Sequence, residues 1–202
     1  MLKQPPIPTW PQMPDGFEFP RSSRLPPAER QERREGTRLA AKGAMSLPQL
    51  QMILGTLLGD GHLSPIGGYV ASHGWPQREY LWTKFVAVPE FVRGRPSVSK
   101  KNKLGFVSVR FWTVATPEFK SLRALLYPAG TKTVTPIWLD LIDETGFLPT
   151  VAWWVADDGT RYGPITSPSL YICTNGFTFP EVDLLCRWLT DQLRCPVELG
   201  TP

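Results

Sequence analysis

Two aspartates carry the sharpest chemical signal in this sequence. Asp60 closes the run Ser46 to Gly61, SLPQLQMILGTLLGDG, and Asp158, beside Asp157, closes the run Phe147 to Gly159, FLPTVAWWVADDG. Each run reads as one apolar helix stopped by an Asp-Gly step. Both carboxylates therefore fall in a last helical turn, where the macrodipole is negative and an anion costs about 0.3–1 kcal/mol. Helix stability is a poor reason for their presence. If the two helices pair in parallel, the carboxylates arrive together at one end of the seam, and carboxylates that close require a cation or a shared proton. A divalent metal is the natural partner. One Asp-Gly turn after a buried helix is ordinary, but two after matched helices argue for a shared site.

The helices that must position them are well specified. Ser46 caps the first, Gln49 three residues on completes a capping box, and Pro48 is tolerated because the first turn needs no donor there. Gly55 and Gly59 lie four apart on one face, and Ala152 and Ala156 do the same in the second helix. Both helices thus carry a small-residue stripe where another backbone can come close, and these four positions are the expected helix interface.

ILGTLLGDG at Ile53 to Gly61 and VAWWVADDG at Val151 to Gly159 resemble the two signature helices of LAGLIDADG homing endonucleases, in the subgroup with both motifs in one chain. KTVTP at Lys132 to Pro136, then AWWVADDG, then CTNGFTFPEVDLL at Cys173 to Leu185 is similar to the ordered signature of that subgroup's second half. The resemblance covers roughly residues 47 to 199. It implies an α+β fold of two pseudo-symmetric αββαββα-type halves joined through the paired motif helices. It also implies a monomeric, intron-encoded endonuclease that hydrolyses double-stranded DNA at specific sites, with Mg2+ or Mn2+ held by Asp60 and Asp158. In that family the lysine of the KT-(Ile or Val)-x-P signature approaches the scissile phosphates, and Lys132 occupies its position. Its charge would stabilise the phosphorane or polarise the attacking water.

At 202 residues, with 42% apolar and 11% aromatic content, the chain has ample material for a core. It shows no long uninterrupted apolar run and no secretory signal core, so a soluble, intracellular protein without a membrane partner is expected, in a bacterial or phage cytoplasm or an organelle. Cys173, Cys186 and Cys195 are odd in number and lack CxxC spacing, which supports neither a disulfide framework nor a zinc site. Residues 1–45 are set apart as a proline-rich, basic arm. Eight Lys and Arg face five acids before Ser46, leaving fourteen against thirteen after it, so the folded part is nearly neutral.

The densest positive stretch runs from Arg93 to Arg110, RGRPSVSKKNKLGFVSVR, and holds Arg93, Arg95, Lys100, Lys101, Lys103 and Arg110 with no acid. Within it, Phe106 to Thr113 alternates, placing Val107, Val109 and Phe111 on one face and Ser108, Arg110 and Trp112 on the other. The first face suits a core; the second suits a DNA groove, with Arg161 on a later strand as its companion. Helices are expected over about Gln77 to Val88, Thr116 to Leu126 and Pro136 to Ile142. His62 and His73 are read as polar strand or turn residues, since nothing nearby completes a histidine-based metal site.

Ser72-His73-Gly74-Trp75 followed by Glu79 repeats as Thr174-Asn175-Gly176-Phe177 followed by Glu181. The halves are accordingly placed at 46–143 and 144–202, the second incomplete, because the resemblance leads one to expect a further strand pair and a second basic residue near the site. A non-cleaving nucleic-acid-binding protein on the same fold, such as an intron RNA maturase, regulator or structural component, is the alternative.

Overall fold

The computed structural model describes residues 13–15, 45–99, 105–166 and 168–200, and the account below concerns those. The first element, α1 (Leu47–Leu58), starts at the capping box, with the Ser46 N–H donating to Gln49 Oε1 at 3.0 Å. It runs through the middle of the molecule, and Met52, Ile53, Leu54 and Leu57 are completely buried. A helix apolar on all sides has to be enclosed. Two short strands follow, β1 (His62–Leu63) and β2 (Tyr69–Gly74), then a single 3-10 turn at Trp75–Gln77 that leads into α2 (Arg78–Ala87). Next come β3 (Ser97–Val98) and β4 (Ser108–Trp112), then α3 (Pro117–Leu126) and α4 (Pro136–Thr145). The last two helices start alike. Thr116 accepts from the Phe119 N–H and Thr135 from the Trp138 N–H, each at 3.3 Å, with proline as the first helical residue.

The second motif helix, α5 (Phe147–Asp158), leads into the hairpin β5 (Gly159–Tyr162) and β6 (Ser169–Ile172) and then α6 (Phe179–Leu193). Helix, strand, strand, helix thus occurs twice, as α1-β1-β2-α2 and α5-β5-β6-α6. This is an α+β architecture, with one antiparallel sheet of order β1-β2-β4-β3 and one two-stranded antiparallel sheet, β5-β6. In β4 the alternation places Val109 and Phe111 in the core, while Arg110 and Trp112 share the outer face with Ser72, whose cross-strand partner is Arg110. Among the described residues no helix is long and apolar enough to cross a membrane, and the three cysteines are unbridged.

α1 and α5 form the central seam, running in the same direction. At one end Gln51 donates to the Thr145 carbonyl, and at the other the Asp60 N–H donates to Asp157 Oδ2 at 3.2 Å. The approach is close enough that a Cβ on Gly55 would lie 2.1 Å from the Thr150 carbonyl oxygen, and one on Gly59 would lie 2.5 Å from Asp157 Cβ. On the α5 side the expectation needs correction. Ala152 and Ala156 are exposed, and the contacts to the two glycines come from Thr150, Trp153 and Asp157. One residue turns a helix by about 100°, and counting back from the two terminal Asp-Gly steps puts Trp153 and Asp157, rather than the alanines, opposite Gly55 and Gly59. Substituting Gly55 by alanine should cost about 1–3 kcal/mol, because the obstructing atom is backbone and cannot rotate away. Thermal denaturation checks this against Gly176→Ala, where the added methyl meets nothing within 4 Å and little change is expected.

Candidate active site

The parallel seam delivers three carboxylates to one end. Asp60 follows α1, and its side chain is half exposed. Asp158 ends α5. Burial, then Asp60 and Asp157, push the Asp158 carboxyl up to about 6, with Lys132 opposing. Asp60 is raised as well, by burial and then Asp157, against the pull of Lys84 and Lys132. Each carboxyl is thus held against ionisation, first by burial and then by a neighbouring acid. Lys132 stands over this end with Nζ 2.8 Å from the Gly59 carbonyl oxygen, at the negative pole of α1, and 5.5 Å from the centre of the Phe177 ring. Burial holds its pKa below the ordinary lysine value, while Asp158, Asp60 and Asp157 raise it.

A folded-state pKa near 6 against an ordinary 3.8 means that the folded protein binds this proton more tightly than the unfolded chain. The contribution of Asp158 to stability is therefore fully present below about pH 4 and is lost as pH rises through about 6. Solvent screening of a half-open group leaves about 1 kcal/mol of the effect. Without added metal, Asp158→Asn should be more stable than the parent at pH 7 by about that amount and level with it at pH 4; urea denaturation at the two pH values measures this.

Asp157 plays a different part from its neighbour. Its side chain is completely buried and fully partnered, with Oδ1 2.5 Å from Lys84 Nζ and 2.7 Å from the Tyr80 hydroxyl, and Oδ2 accepting from the Asp60 N–H. Lys84 is buried too, and its Nζ lies 2.8 Å from His73 Nε2. Burial lowers the lysine pKa, and Asp157 opposes that. Burial and then the Lys84 charge push His73 down to about 3, so its imidazole is neutral at physiological pH, Gln77 opposing. The other ring nitrogen, Nδ1, has no hydrogen-bond partner of good geometry, but Asp60 Oδ2 stands 3.4 Å away.

The fold gathers Asp60, Asp158 and Lys132, the three site residues expected from the sequence, at one end of the seam. His73, expected only as a polar strand residue, is buried beside them, and Lys84 and Asp157 join it without having been singled out by the sequence. A signal for Lys84 existed: Tyr80, Leu81, Lys84, Phe85 and Val88 follow helical spacing, so the lysine stands in the middle of an apolar stripe and needs a buried partner. No comparable signal ties it to Asp157, which is 73 positions away.

The residues expected to meet DNA are dispersed. Arg93 and Arg95 are exposed on the approach to β3, and Arg110 lies on the outer face of β4 with its guanidinium carbon 5.2 Å from the Trp112 ring. Arg161 is exposed on β5, in the separate two-stranded sheet. Lys100, Lys101 and Lys103 lie outside the described residues.

Among the described residues no three His, Cys, Asp or Glu side chains form a metal cage. Two adjoining carboxylates that are not fully enclosed and are held against ionisation still fit Mg2+ or Mn2+, which are commonly bound through one or two carboxylates with substrate phosphates and water completing the shell. Asp60 and Asp158 are the side chains that could hold such an ion; Asp157, with both oxygens engaged, could not.

The model of the LAGLIDADG DNA endonuclease family matches residues 50–200. Among solved structures, the homing endonuclease I-WcaI bound to its DNA recognition sequence has a similar fold, with a TM-score of 0.69 at 19% identity over 85% of this chain and 76% of that one. Among curated protein sequences none matches significantly.

Proposed function

Since this chain belongs to the LAGLIDADG DNA endonuclease family, we propose that it is a monomeric, divalent-metal-dependent homing endonuclease that hydrolyses phosphodiester bonds of double-stranded DNA. The observation that carries this reading is the meeting of Asp60 and Asp158 at the end of a parallel helix seam, both pushed up in pKa and faced by Lys132. A bound Mg2+ or Mn2+ would supply an activated water and neutralise charge on the phosphate. The chain's own residues do the rest. Asp60 and Asp158 hold the cation, and Lys132, kept at the helix end by the Gly59 carbonyl, sets a positive charge against the phosphate. In this reading residues 46–143 and 144–202 are the two halves. The outer strand face with Arg110 and Trp112, together with Arg93, Arg95 and Arg161, meets the DNA, phosphate contacts giving affinity and the strand positions giving sequence preference.

The test is incubation of the protein with supercoiled plasmid and a randomised duplex library, with Mg2+, with Mn2+ and with EDTA. Metal-dependent double-strand cuts at a defined site are expected. Sequence-preferring binding to duplex or to intron RNA without any cut under all three conditions would instead establish the non-cleaving alternative.

A further inference from the structure

We propose that His73 is a positioning residue for Asp60: Lys84 fixes it as the Nδ1–H tautomer, and that N–H is presented to Asp60 Oδ2 so that the carboxylate keeps its other oxygen for the cation. The inference rests on the reading of Asp60 as a metal ligand.

The argument starts from what each ring nitrogen can do. A neutral imidazole has one donor nitrogen and one acceptor nitrogen, and which is which follows from the partners. Lys84 Nζ offers only donors while it is charged, and its pairing with Asp157 at 2.5 Å favours that charge. With Nζ 2.8 Å from Nε2, that nitrogen must accept, so the proton resides on Nδ1. Nδ1 is buried, the side chain of His73 is completely enclosed, and the carboxylate it faces is Asp60 at 3.4 Å. A buried donor left unpaired costs about 1–3 kcal/mol, and a carboxylate is a stronger acceptor than the neighbouring Gln77 amide. The separation is long for a hydrogen bond, as is common in sites that tighten only when their ligands arrive.

The order Asp157, Lys84, His73, Asp60 has a structural consequence. It joins the buried carboxylate of the second motif to the exposed carboxylate of the first, through one residue of α2 and one of β2. The backbone adds a second link, since the Asp60 N–H donates to Asp157 Oδ2. Asp60 is thereby held at both its amide and its side chain, while the counterpart Asp158 has no histidine beside it. The two metal-facing carboxylates are thus supported unequally.

Two measurements test this. First, the protein contains only two histidines, so nitrogen-15 spectra of histidine-labelled protein identify the His73 tautomer directly, with no substitution in the core. Nδ1 protonated and Nε2 unprotonated is expected; the reverse tautomer overturns the proposal. Second, Tb3+ serves as a hard-cation probe through tryptophan-sensitised luminescence. His73→Gln, which directs its amide toward Lys84, should weaken Tb3+ binding about tenfold, whereas His73→Asn, which places an N–H where Nδ1–H stood, should stay within about threefold of the parent. Equal binding by His73→Gln and the parent overturns the proposal. Asp60→Asn separates the two levels: if it binds Tb3+ as the parent does, the assignment of Asp60 as a ligand has failed, whatever His73 does.

Discussion

Asp60→Asn and Asp158→Asn are each expected to lower the rate of DNA cleavage by about a thousandfold or more while leaving DNA affinity within a few-fold of the parent. The size follows from what is removed. A metal ion that activates water and neutralises phosphate charge is worth several kcal/mol of transition-state stabilisation, and each 1.36 kcal/mol is a factor of about ten in rate. The amide that replaces either carboxylate keeps the shape and loses the charge. Both carboxyls are held above their ordinary pKa, Asp60 by burial and by Asp157, Asp158 by burial and by Asp60 and Asp157, so replacing either by a neutral amide removes a charge that its site disfavours; folding should be unharmed, and any loss of rate cannot be assigned to a collapsed seam. Single-turnover rates at saturating protein, with gel-shift affinities measured in Ca2+, separate the two effects. Cleavage by either variant at the parental rate would remove that aspartate from the chemistry, and an equal loss of binding would assign it to DNA recognition.

What could be read from the chain alone follows from which constraints are local. The helix with Ser46 and Gln49 at its start, the Phe119-Leu122-Leu126 face of α3 and the alternation that buries Val109 and Phe111 each depend on neighbours a few residues away, and each is present in the fold. So is the recurrence of helix, strand, strand, helix. Two kinds of information were not local. The rotation of α5 about its own axis is decided by which side chains fit against Gly55 and Gly59; two alanines looked like the smooth face, whereas the helix turns Thr150, Trp153 and Asp157 to the seam and leaves Ala152 and Ala156 in solvent. The buried polar cluster was equally hidden. Asp157 beside Asp158 looks like a duplicated carboxylate, yet the Asp158 side chain lies beside Asp60 and Lys132 at the end of the seam, whereas that of Asp157 points to Lys84 and Tyr80 on α2, a difference set by about 100° of helix rotation.

That cluster should also be the point where the smallest change does the most damage to the fold. Asp157→Ala strands the Lys84 ammonium in a site with no exposure and removes acceptors from the Tyr80 hydroxyl and the Asp60 N–H. Breaking one partner of a buried ion pair costs about 3–5 kcal/mol, a large share of the roughly 5–15 kcal/mol that holds a domain together. The melting temperature should fall by about 10 °C or more. Lys84→Met fails for the mirror reason, leaving a buried carboxylate with no counter-charge. Made together as Lys84→Met and Asp157→Asn, the changes leave no net charge behind: the amide oxygen accepts from the Asp60 N–H, its NH2 donates to the Tyr80 hydroxyl, which turns its own proton to the Trp153 carbonyl, and the methionine fills the volume of the lysine stem. The double variant should therefore recover at least about 2 kcal/mol relative to the sum of the two single losses. Urea unfolding of the four proteins measures the coupling. Additive losses would show that Lys84 and Asp157 are stabilised independently and that the pair is no link between α2 and α5. A recovered fold with impaired metal binding would separate the two duties of the cluster, because the charge that stabilises the seam would then be replaceable while the donor that fixes the His73 tautomer would not.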